Sequence, residues 1–69
     1  MQHEHIKLLM HENQDERIII QRELVPLQDL EWWEPETMTQ DQINRLAFLR
    51  KALETLKHEY AQLCKERTI

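Results

Sequence analysis

The apolar positions of the carboxy-terminal half fall on a seam. Leu46, Leu49, Leu53, Leu56, Tyr60 and Leu63 are spaced three, four, three, four and three residues apart. That is the a/d rhythm of a helix that packs along its length against another helix, kept for nearly three heptads. Arg45, Arg50, Lys57, Glu59 and Glu66 flank it. Ile43, Ala47, Phe48 and Ala52 widen the apolar surface beyond a two-stranded seam, which favours a bundle of three or four helices. Phe48 lies off the seam and needs cover of its own. The start of this helix is marked by Thr39 and Gln42, a T-x-x-Q capping box, with Asp41 near the positive end of the helix dipole. Nothing breaks the pattern from Gln40 to about Arg67, a span of roughly 42 Å at ~1.5 Å per residue.

The amino-terminal half has a weaker pattern. Ile6, Leu9, Ile20 and Leu24 fit one side of a helix over residues 1–24, but His11-Glu12-Asn13-Gln14-Asp15-Glu16 interrupts the stripe. A break near residues 13–15 is one variant. Another makes Ile6–Met10 and Arg17–Arg22 two short strands, because Ile18-Ile19-Ile20 is β-branched. Helix is the preferred reading, since the intervening turn has no glycine. Residues 25–39, containing Pro26 and Pro35, are expected to form a connector: Pro26 should end the first element, and Pro35 forbids continuous helix into the last.

Composition sharpens this picture. The chain has 69 residues, at most one small domain, and no glycine. The absence of glycine argues against an all-β fold and against phosphate-cradling loops. The expected class is all-α: a small helical hairpin or bundle with a long carboxy-terminal amphipathic helix, completed by self-association. A chain this short buries little core, and Cys64, its only cysteine, offers no intrachain disulfide. A lone thiol and no signal peptide fit a cytoplasmic setting, and no stretch approaches a membrane span. Net charge is −4, with three bases against nine acids in residues 1–39 and six against four in residues 40–69. Such an acidic chain is a poor general phosphate binder, so nucleic acid is not an expected partner.

Candidate chemistry is sparse. His3 and His5 are two apart and would point to different faces of a helix, whereas helical zinc pairs sit three or four apart. No Cys or His lies at a useful spacing from Cys64, since His58, its nearest histidine, is more than a turn away. Surface histidines and an inert thiol are the expectation: no catalytic, cofactor or metal site, and no enzyme. The sharpest feature is Trp32-Trp33, set between Glu31 and Glu34-Pro35. Tryptophan is enriched among residues that dominate interfaces, yet a small core also needs large rings. Adjacent side chains do not readily face one core. One ring is therefore expected inside, Trp33 for its nearness to the capped helix, and the other at a partner contact.

Residues 41–52, with an aspartate at the helix start and the rhythm Arg45-Leu46-x-Phe48-x-Arg50, resemble the helix after the wing in MerR-type winged-helix regulators and related chaperone-modulator proteins. The resemblance covers about a dozen residues and implies a nucleic-acid-associated transcriptional regulator as the alternative function. Such a regulator would use Arg45, Arg50, Lys51, Lys57, Lys65 and Arg67, which spread around the helix instead of forming one stripe. Upstream there is no basic recognition helix, and no DNA-contacting residues are carried over. The primary expectation is a small adaptor or regulator that binds another protein. It would act through the leucine seam, Phe48 and the Trp pair, and associate with itself through the seam.

Overall fold

The computed structural model describes the backbone of residues 2–68 and the side chains of residues 4–67. Two long helices, α1 (Gln2–Trp33) and α2 (Gln40–Thr68), lie antiparallel, joined by a short 3₁₀ turn at Pro35–Thr37. The chain is thus an all-α helical hairpin, 51 × 17 × 15 Å. Its radius of gyration is 15.5 Å, against about 11 Å for a compact chain of this length.

The reversal uses no residue with positive φ among the described residues. Pro35 does the work. The residue before a proline is pushed out of the helical region, and Glu34 sits at φ −141°. The Glu34 carbonyl then accepts from the Thr37 N–H at 3.0 Å and the Thr37 hydroxyl at 2.8 Å. The capping box forms in both directions: the Gln42 N–H donates to Thr39 Oγ1 at 3.2 Å, and the Thr39 N–H donates to Gln42 Oε1 at 2.9 Å. Met38, just before the cap, packs on the leucine core.

The preferred helical reading of the first half holds, and one expectation about its end is corrected. Residues 13–15 carry neither a break nor a strand turn, because α1 is continuous. Pro26 does not end α1 either, and the connector shrinks to residues 34–39. An interior proline removes one backbone hydrogen bond and crowds the preceding turn, at a cost of about 3 kcal/mol. Here Pro26 and Arg22 are both exposed, so the lost bond lies on the solvent side of α1. Continuing the helix also lets Leu27 pack on the core and Glu31 pair with Arg50.

The core is one layer thick. Leu24, Leu46, Leu49 and Leu53 form its buried centre, with Ile20, Leu27 and Met38 packed around them. On α1 the facing positions are Ile6, Met10, Asn13, Arg17, Ile20, Leu24 and Leu27, spaced alternately four and three residues apart, each buried or half-buried. The interrupted stripe is therefore a complete heptad seam with two polar members. Asn13 is 5% exposed, and its amide donates to the Leu56 carbonyl of α2 at 2.8 Å. Arg17 stacks on the Tyr60 ring, 4.6 Å from its centroid. Asn13 Oδ1 and Arg17 Nε have no protein partner. A buried asparagine at a seam position lowers stability and fixes register. Asn13→Leu is expected to stabilise the hairpin by about 1–2 kcal/mol, read as a higher denaturation midpoint, and to loosen the alignment of the two helices. A lower midpoint would show that the amide contributes net stability.

Candidate protein-interaction site

The six seam residues face α1 of the same chain. Leu46, Leu49 and Leu53 are buried there, and Leu56, Tyr60 and Leu63 are half-buried. Leu46, Leu49 and Leu53 are accordingly covered by the antiparallel α1 of the same chain, while the half-buried Leu56 and Leu63 remain at the margin of the helix pair. Phe48, one position from Leu49, is 61% exposed. Its cover is partial: the Arg45 guanidinium lies 5.3 Å from the ring centroid.

Both tryptophans are exposed, Trp32 at 78% and Trp33 at 75%. The expectation that Trp33 enters the core is corrected. Because α1 runs through Pro26, positions 32 and 33 fall on the turns of a continuing helix, and the inward positions near its end belong to Leu27 and the half-buried Leu30. Trp32 does not stand alone. Ile18, Val25 and Trp32 are seven residues apart and all exposed, so they form a stripe along one flank of α1. Sequence reading missed this stripe because it placed Val25 and Trp32 in a connector, where seven-residue spacing has no meaning.

A second apolar feature runs between the helices. One stretch is lined by Leu9, Leu56 and Leu63, the next by Ile20, Phe48, Ala52 and Leu56, and the last by Pro26 and Leu27. The first two share Glu16 and Leu56. Arg45 lines the last stretch and stacks on Phe48 of the middle one. The first two stretches form one groove, and the third continues it along the same flank of the hairpin beyond Arg45. Ile18 and Val25 lie two residues beyond Glu16 and Glu23 on its α1 edge, roughly 200° around the helix. Groove and stripe are therefore on different sides.

Two ion pairs brace the helices. Arg45 grips Glu23 with two bonds of 2.8 Å, and Arg50 grips Glu31 at 2.7 and 3.4 Å. The hydrogen bond from each guanidinium is the main cause that holds each glutamate below its ordinary pKa, outweighing partial desolvation. A carboxylate with a depressed folded-state pKa contributes stability that is complete above its unfolded value and is lost as pH falls through the folded one. Thermal melts are therefore expected to weaken modestly with acid below the ordinary glutamate range, and Glu31→Gln to flatten that slope. An unchanged slope in this variant would show that the Arg50 pair is too solvated to count, as many surface pairs are.

His5, His11 and His58 are exposed and Cys64 is a half-buried free thiol; the side chain of His3 lies outside the described residues. Among the described residues no three His, Cys, Asp or Glu side chains gather as a metal-binding group, and no helix is long and apolar enough to cross a membrane. Comparison with known proteins finds no matching family model, no matching curated protein and no matching solved structure.

Proposed function

We propose that this chain is a small protein-binding adaptor or regulator that works by docking and not by catalysis. The observation that carries this reading is the adjacent tryptophan pair, more than three-quarters of whose surface stands in water at the end of a rigid helix. Two large rings held there by 32 residues of helix are costly to expose and gain most when a partner covers them. The stripe through Ile18 and Val25 extends the same contact along α1, as expected for recognition by a helix or a groove in a second protein. The rim is net acidic, with Glu34 and Glu36 beside the pair and Asp15 and Asp29 on either side of Arg22 along α1, and suits a partner with a basic rim. The single thiol suits a reducing compartment, so the proposed place of action is the cytoplasm.

The test compares wild-type protein with the Trp32→Ala/Trp33→Ala double variant as baits in extracts of the native host. Direct titration of the purified partner follows. A partner bound directly by wild type and at least about 30-fold more weakly by the variant supports the reading. Equal binding by both baits would overturn it. Tight binding to duplex DNA with a steep salt slope would instead favour the regulator alternative.

A further inference from the structure

We infer that the interhelical groove is filled by a second copy of this chain, giving an antiparallel four-helix bundle with both turns at the same end. This goes beyond the docking role of the tryptophans: Trp32 lies on the opposite flank, Trp33 lies seven residues past Pro26 at the end of the groove, and the two contacts are tested separately.

The single hairpin exposes more surface than a closed globule of its mass. A compact globule of 8.5 kDa exposes about 4,700 Å², whereas this hairpin exposes 5714 Å². The excess of about 1,000 Å² is of the size each partner contributes to a standard interface, about 800 Å². A one-layer core flanked by an apolar groove is half of a four-helix bundle. Two copies related by a two-fold axis cover each other's grooves and leave neither open. Phe48, at the middle of the groove, becomes a core residue of the assembly.

Charge then selects the alignment. The α1 edge of the groove carries Glu12, Glu16 and Glu23 and no base. The α2 edge carries Arg45, Lys51 and His58, with Asp41 and Glu59. A two-fold axis parallel to the helices sets each α1 on the α2 of the other copy at the same height. Glu16 and Lys51 line the same stretch of groove, so each Glu16 then meets Lys51 of the second copy. Reversing one hairpin end for end lays α1 on α1 and opposes the three acids to themselves, because they straddle the middle of that helix. Like charges across a helix interface disfavour that arrangement.

The full-length chain is examined by sedimentation equilibrium at micromolar concentration, where a mass of twice 8.5 kDa is expected. Phe48→Asp should weaken association by about 30-fold or more while the helical circular dichroism persists, because that side chain is largely exposed in the single hairpin. Glu16→Lys and Lys51→Glu should each weaken association, and the double variant should recover it. Spin labels at Glu36→Cys, in a Cys64→Ala background, should lie within about 20 Å, two helix diameters, across the dimer. A monomer throughout the range, or a dimer indifferent to Phe48→Asp, would overturn the inference. A label separation near the 51 Å hairpin length would overturn the alignment. Binding of the Trp-dependent partner is expected to survive Phe48→Asp, so loss of one contact does not imply loss of the other.

Discussion

Leu49→Ala is expected to lower the stability of the hairpin by about 3–4 kcal/mol, the largest effect of any single truncation. Leu49 is only 2% exposed and sits at the centre of the one-layer core between Leu46, Leu53 and Leu24. Truncating such a leucine removes its transfer free energy and leaves a cavity that two rigid helices cannot close. A domain of this size holds about 3–5 kcal/mol from its core, so a large fraction of the variant should be unfolded at 25 °C. The measurement is urea denaturation followed by circular dichroism, at a fixed protein concentration so that association does not distort the comparison. Leu8→Ala, which truncates an exposed leucine of α1, should stay within about 0.5 kcal/mol of wild type. Equal losses in the two variants would mean that the hairpin core is not where these side chains place it.

The tryptophan substitutions have the opposite signature. Trp32→Ala and Trp33→Ala should each melt like wild type, to within about 0.5 kcal/mol, because neither ring is packed and alanine is the better helix former. Each should nonetheless cost about 2 kcal/mol or more of binding to the proposed partner, as anchors in interfaces do. A loss of 3 kcal/mol or so of folding stability in one variant alone would return that ring to the core and remove the main support for a docking surface. Had Pro26 ended the helix, one ring folding inward would have been the natural outcome; the continuous α1 makes the two rings behave alike.

Much of the architecture is legible along the chain. The seam from Leu46 to Leu63 declares both the long helix and the face it buries, since only a helix brings residues three and four apart into line. Thr39 and Gln42 declare where that helix starts, because their side chains are the nearest groups able to satisfy its first N–H donors. Pro35 declares the turn. These are local rules, and each depends on residues within one or two turns of one another.

What covers the seam was decided by the tertiary structure. Pro26 is a local stop signal of about 3 kcal/mol, but the contacts of Leu27 and the Glu31–Arg50 pair beyond it are made with α2, and no local window contains them. Asn13 and Arg17 look like an interruption because each is polar; only opposite Leu56 and Tyr60, more than 40 residues away, do they become seam members. The same long-range pairing turned the leucine face inward, carried both tryptophans out on the end of α1, and opened the groove beside Phe48. A periodic pattern shows that a face will be buried, whereas the identity of the covering surface depends on which distant segment reaches it first in space.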